Sequence, residues 1–402
     1  MGARTPRIGS VNGLERALIT VTLVLSVVGV VAVASAAAPQ AANNGSSIWA
    51  FMARDVAYLV IGLLVFVVAC RFPWSKMSKL AVPSLVIAGA LLVAVRVVGT
   101  STSGGQRWIS VGSMSIQPSE LFTLSACFYL AFAIARTERT KREWKDVLIL
   151  TIPVVAGAFA ILAEPDMGTS SVLLIVTLMV LVLAGMPGRL IGALTASGIA
   201  AAAAFALSSP YRRARVLSFL HPGQSPGGAG YQQLQAKIAV GSGGWTGQGY
   251  GSGSAKWGLL PNPHTDFIFA VIGQELGFIG AAIIIALFVW LIILGMQTAL
   301  RAPDRESQLL AGALTTWFAV EAIVNIASVV GWWPVTGIPL PFISYGGTSL
   351  VIDLAAVGLL VNVARRSTLQ RGAMASKVAP MRASRTPARV VEPATRERRR
   401  SH

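Results

Sequence analysis

The sequence predicts an all-α polytopic integral membrane protein of about ten transmembrane helices, with one large loop between the seventh and the eighth. Three observations lead there. Hydrophobic residues make up 54% of the 402 residues and charged ones only 12%, with a mean hydropathy of +0.66, so the chain's solvent is mostly lipid. The apolar residues gather in runs of about 17 to 25, the length at which a helix crosses a bilayer. Lys and Arg fall in alternate short connections, the pattern that sets orientation.

Taken in order, the first run covers 14–37. Its Ala34-Ser35-Ala36 resembles a signal cleavage site, but the apolar core is longer than a signal peptide's and further runs follow, so an uncleaved anchor is expected. Runs at 52–70 and 79–98 flank a link carrying Arg71, Lys76 and Lys79. The fourth, 118–135, opens on Gln117-Pro118-Ser119-Glu120, with proline at the first helical position and an acid in the first turn, where the helix dipole favours it. Runs 147–163 and 169–186 meet at Glu164-Pro165-Asp166, where an Asp after proline is ordinary turn chemistry. Run 188–208 leads into the long loop, and 267–297, 309–330 and 347–364 complete the set.

A cytoplasmic N-terminus puts Arg4, Arg7, Arg16, the Arg136 to Lys145 cluster, Arg189, Arg301 and Arg305 on the inner side, and an even number of spans returns the C-terminus there. The expected organisation is a cytoplasmic N-terminus (1–13), a membrane domain (14–366) and a disordered basic cytoplasmic tail (367–402). From Arg365 to His402 eleven Arg and Lys stand against Glu392 and Glu397, +9 of the chain's formal +17. The basic balance therefore points to anionic lipid or protein partners and not to nucleic acid.

Cys70 and Cys127 both lie in apolar runs and there are only three histidines, which leaves no disulfide framework, thiolate cluster or His-rich metal site to read. The outward loops are 38–51, 99–117, 164–168, 209–266 and 331–346. Loop 209–266 holds Arg212, Arg213, Arg215, Lys237 and Lys256 against the single acid Asp266. Such cations are solvated, or they meet a phosphate or lipid headgroup; three arginines directly above a span favour the second. Gly241 to Gly258 is glycine-rich with Trp245, Tyr250 and Trp257 interleaved. It lacks the spacing of a nucleotide P-loop and suits a compact re-entrant structure on which a sugar or headgroup rests, or a plain flexible loop.

Asp266, in LPNPHTDFIFAVIGQELG, stands where that loop meets a membrane span. A carboxylate there is costly and well placed for chemistry, though it could cap the helix that follows. Glu275, nine residues on, would fall on the opposite face of a continuous helix about 13 Å away, so it reads as a buried structural acid unless the helix breaks, for instance at Gly273. Glu321 and Asp353 read as acids paired with polar neighbours inside the bundle.

Four segments in order, GGQRWISVGSMSIQPSE (104–120), EPDMGTS (164–170), GYQ (230–232) through LPNPHTDFIFAVIGQELG, and PVTGIPLPFISYGGTSL (334–350), resemble those of the SEDS family, the bacterial peptidoglycan polymerases that include FtsW, RodA and SpoVE. The resemblance covers roughly residues 14–366. It implies the SEDS fold and a glycosyltransferase that polymerises lipid II, an undecaprenyl-pyrophosphate-linked disaccharide-pentapeptide, at the outer face of the bacterial cytoplasmic membrane. It puts Asp266 at the family's essential aspartate, as general base on the acceptor sugar hydroxyl with a lipid pyrophosphate as leaving group. It implies substrate contacts from Arg107, Trp108, Glu120, Asp166, Arg212, Arg215, Gln232, Lys256, His264, Thr265 and Ser344. No ligand set in the sequence demands a cofactor, although a divalent cation, Mg or Mn, could bridge Asp266 and pyrophosphate.

The chain has Glu164 where the family commonly has Gln, Gln274 where it has Glu, and Lys237 where relatives have a smaller polar residue. AKWGLLPNPHTDFIF and the basic tail are most similar to FtsW, the division branch, and hence imply the septum; PVTGIPLPF suits RodA, the elongation branch, as well. Either implies a class B penicillin-binding protein, a transpeptidase, as partner, with other divisome proteins and membrane lipids around it. The rival readings are a lipid II flippase or other carrier, against which stands the lack of an inverted repeat, and a non-catalytic division scaffold.

Overall fold

The computed structural model describes residues 13–43, 45, 47–102, 105–111, 114–139, 143–207, 213, 219 and 229–383. Its helices are α1 (Gly13–Asn43), α2 (Ile48–Arg71), α3 (Trp74–Val98), α4 (Pro118–Arg139), α5 (Trp144–Ala163), α6 (Met167–Leu183), α7 (Gly188–Leu207), α8 (Ala229–Ser242), α9 (Ile268–Leu300), α10 (Arg305–Val330) and α11 (Thr348–Ala383). Among the described residues nine are long and apolar enough to cross a membrane, and α6, at 17 residues, is a shorter apolar helix. The ten expected spans thus correspond one to one with helices. The eleventh, α8, lies inside the loop read as 209–266. α11 runs on to Ala383, past the expected start of the tail at 367, and residues 384–402 lie outside the described residues.

Burial sorts the bundle. In α4 and α11, 78% of the membrane-crossing stretch is buried, against 61% in α10 and none in α7, so α4, α10 and α11 form the centre and α7 stands at the periphery. The exposed faces of α2 and α3 carry Leu64, Val68, Val86 and Val93, apolar side chains that need lipid and not water around them.

Loop 99–117 departs from the all-helical expectation. It forms a small antiparallel sheet, β1 (Thr100–Thr102), β2 (Gly105–Val111) and β3 (Met114–Ile116), in that order. β-branched and aromatic residues between Ser-Gly and Gly-Ser pairs are strand-and-turn signals, which the search for apolar spans passes over. Ser115 N donates to Tyr58 Oη (3.2 Å) and Gln117 N to Thr348 Oγ1 (3.3 Å), tying this sheet to α2 and α11.

α9 is two helices in one. Gly277, at φ 68° and ψ −166°, holds a conformation almost confined to glycine and interrupts the hydrogen-bond ladder. The glycine-rich segment fills the gap: Gln248 N and Gly249 N donate to the carbonyls of Gln274 and Glu275, while Phe278 N and Ile279 N donate to those of Gly244 and Trp245. Backbone at membrane depth must satisfy its polar groups internally, and here a loop supplies what the broken helix lacks. The approach is so close that a Cβ on Gly247 or Gly277 would collide with the other segment's backbone. Of the two readings of the glycine-rich segment, a compact structure and a plain flexible loop, the packing is that of a compact one, a plug in a broken helix.

At the end of the bundle opposite Asp266, Arg366 bonds Asp304 (2.9 Å) and Ser307 (2.8 Å) and stacks over Trp74 at 3.9 Å, fastening α11 to α10 and α3.

Candidate active site

The segment ahead of α9 is held residue by residue. Phe267 occupies the N-cap position of α9 without a side-chain cap bond, so the cap considered for Asp266 falls to its neighbour and Asp266 stands in the loop, half-buried. Three consecutive carbonyls are each bound: His264 O by Tyr345 N (2.9 Å), Thr265 O by Ser344 Oγ (2.7 Å) and Asp266 O by Asn325 Nδ2 (3.0 Å). Two donors come from the loop between α10 and α11 and the third from α10 itself. Gly337, in that loop at φ 77°, passes beside the carboxylate, and a Cβ there would lie 3.6 Å from Asp266 Oδ2. Its missing side chain leaves the approach to the carboxylate open.

His264 is buried between Phe51 and Tyr345, with ring centroids 5.7 and 5.8 Å away. Burial pushes its pKa down to about 4, so the imidazole is neutral at physiological pH.

The facing wall is the turn between α5 and α6. Asp166 caps α6, accepting from Thr169 N and Thr169 Oγ1, both at 3.0 Å, which is the turn role read from the sequence. Arg107 reaches over from β2, donating Nε–H to Glu164 O (3.0 Å) and Nη2–H to Pro165 O. Glu164 is buried with neither carboxylate oxygen hydrogen-bonded. Burial, with the Asp166 charge adding to it and Arg96 and Arg107 opposing, raises its pKa to about 7.

Between these walls lies a cavity of about 1290 Å³. Arg107, Trp108, Glu120, Asp166, Gln232, His264, Thr265 and Asp266 all line it, so eight residues drawn from three separate motifs meet in one place. Phe159 and Leu162 from α5 and Phe205 from α7 give the cavity an apolar side, and Phe159 is itself 62% exposed.

Other expected residues are placed elsewhere. Lys256, read as a headgroup contact, is buried and paired with Glu275 at 2.7 Å, with Ser35 Oγ also at 2.7 Å. A lysine neutralised inside the protein has no charge to offer a ligand. Glu275 is thus a structural acid, and the break at Gly277 lies beyond it and does not turn it towards Asp266. Ser344 is also buried; its hydroxyl is used between Thr265 O and Leu340 N, so it shapes the loop and does not line the cavity. Lys237 packs its stem against Gly331. Arg213 is exposed, and Arg212 and Arg215 lie outside the described residues. Among the described lining residues Arg107 is the one Lys or Arg.

Sequence reading missed Tyr58, Asn262, Tyr345 and Ser349, which also line the cavity. A single polar residue in an apolar run, such as Tyr58 in α2, was the available signal. Asp353, expected to pair with a polar neighbour, accepts instead from a backbone amide, Phe342 N at 3.3 Å. Among the described residues no three of His, Cys, Asp and Glu are grouped to hold a metal ion; a cation at Asp266 would take its other ligands from phosphate and water.

A helical membrane bundle carrying a large half-polar cavity, with the Asp266 carboxylate set in its wall by a braced loop, has the layout of a multi-pass membrane enzyme. Comparison with known proteins sharpens the class. Residues 15–369 match the family model of the FtsW, RodA and SpoVE proteins, described as cell cycle proteins. A probable peptidoglycan glycosyltransferase FtsW of Shewanella sediminis is 40% identical over 355 residues, 87% of this chain and 86% of the relative. Stage V sporulation protein E of Bacillus subtilis is 37% identical over 356 residues, 87% of this chain and 96% of the relative. A solved peptidoglycan synthase complex, described as coordinating polymerization and crosslinking, contains a chain matching at a TM-score of 0.71 and 28% identity, over 87% of this chain and 97% of that one. The rod shape determining protein RodA of Thermus thermophilus matches at 0.65 and 26%, over 90% and 98%. The chain belongs to the FtsW/RodA/SpoVE family, and with it to the SEDS glycosyltransferases.

Proposed function

We propose that this glycosyltransferase polymerises lipid II into glycan strands at the outer face of the cytoplasmic membrane, with Asp266 as general base. Asp266 takes the proton from the acceptor sugar hydroxyl; that oxygen attacks the anomeric carbon of the donor; the bond from that carbon to the pyrophosphate oxygen breaks, and undecaprenyl pyrophosphate leaves. The observation that carries this reading is the meeting of Asp266, Arg107 and Asp166 in one cavity with an apolar side. Polar walls suit sugars and pyrophosphate, and Phe159, Leu162 and Phe205 suit the first isoprene units. Among the described lining residues Arg107 is the cation available to the leaving group: two of its five N–H donors are spent on carbonyls.

The division role is supported by relatives named FtsW at 34–40% identity, against 26–27% for the solved structures named RodA. A class B penicillin-binding protein as partner is supported by the synthase complex that contains a matching chain. Positive charge in alternate connections supports cytoplasmic termini. The test is labelled lipid II given to the full chain with its transpeptidase partner, wild type beside Asp266→Asn. Glycan chains from the wild type alone are expected, and an inactive wild type or a fully active mutant would sink the assignment.

A further inference from the structure

Asn325 is 1% exposed, deep in α10, yet its amide does no work for its own helix. Nδ2 donates to Asp266 O at 3.0 Å and to Ile338 O at 2.8 Å. Those carbonyls belong to two chain segments far apart in sequence: one carries Asp266, the other carries Gly337, whose absent side chain leaves room beside Oδ2. The amide's orientation is fixed, because turning it over would set Oδ1 against two carbonyl oxygens. In the orientation found, Oδ1 is buried with no partner, an arrangement that costs stability. Of the three donors that grip His264, Thr265 and Asp266, two come from the loop itself, and Asn325 is the one that refers the group to the rigid central bundle.

We propose that Asn325 is a positioning residue for Asp266, holding its backbone and the Gly337 segment at a fixed separation so that the carboxylate meets the acceptor hydroxyl in line. The proposal rests on Asp266 acting as general base. Loss of the clamp lets the carboxylate drift, and a misplacement of about 1 Å lowers turnover by up to roughly 100-fold while leaving substrate capture alone.

Asn325→Ala and Asn325→Asp in the full chain, with the transpeptidase partner and labelled lipid II, test it beside Asp266→Asn and thermal unfolding in detergent. Expected for Asn325→Ala is a kcat at least about 10-fold lower per folded molecule, with KM within about twofold. Asn325→Asp is expected to keep intermediate activity while its buried carboxyl is protonated and still donates to one carbonyl, its rate relative to wild type falling as pH rises. If the alanine protein does not fold, that pH trend decides. A kcat within threefold of wild type, a loss that only follows the folded fraction, or an aspartate variant whose relative rate ignores pH overturns the proposal. Failure of the general-base reading shows separately, as a fully active Asp266→Asn protein.

Discussion

Lys256→Met separates two accounts of a loop cation. The ammonium and the Glu275 carboxylate meet at 2.7 Å with side chains only 2% and 4% exposed, and Ser35 Oγ bonds both. Removing one partner of such a pair leaves a buried charge without compensation, which costs about 3–5 kcal/mol. Glu275 would keep Ser35 Oγ and Gly251 N as donors, which puts the expected cost near the low end, about 3 kcal/mol. Replacing both charges, Lys256→Met with Glu275→Gln, removes the orphan as well and should return stability to within about 1 kcal/mol of wild type, a coupling of about 2 kcal/mol or more in the double-mutant cycle. Reversible unfolding in mixed detergent micelles, followed by tryptophan fluorescence, measures the cycle. A Lys256→Met protein of unchanged stability and raised KM for lipid II would refute the structural account and restore the lysine as a headgroup contact.

Two further outcomes follow from the same geometry. Glu164 ionises near pH 4.5 in the unfolded chain and near 7 when folded, so unfolding releases a proton between those values and stability falls as pH rises from about 4.5 to about 7. The difference, roughly 3 kcal/mol, stands in full above that range. Glu164→Gln should abolish this dependence, gaining most over wild type at pH 8 and little at pH 4.5 in unfolding titrations; parallel curves would contradict it. Gly277→Ala places a Cβ against the backbone of Gly247 and Trp245 at a positive φ. It should cost about 3 kcal/mol or more, seen as a lower midpoint in the same titration.

What the sequence disclosed follows from what each kind of residue must satisfy. A membrane span needs a long apolar run whatever it packs against, so the ten spans could be counted by eye. Asp266, Arg107 and Asp166 stood out because polar groups beside lipid are rare, and resemblance drew them into one site. Lys256 was misread because a lysine written among glycines looks the same whether it faces water or a carboxylate nineteen positions on. Asn325 was passed over because one amide in an apolar helix has many bland uses, and its two acceptors are set by the tertiary fold. The helix break was sought at Gly273 and occurs at Gly277, since local sequence offers several glycines and only the plugging segment chooses among them.

The interruption at Gly277 also settles a matter of length. A continuous α9 of 33 residues would reach about 50 Å, against a hydrocarbon layer of about 30 Å. From Phe278 to Leu300 the remaining helix is about 34 Å long, enough to cross alone. The stretch before the break is thereby not needed for spanning. A bilayer fitted to Phe278 to Leu300 would set the height of the Asp266 carboxylate above the lipid tails, and polymerisation is then expected to answer to the acyl-chain length of the host membrane.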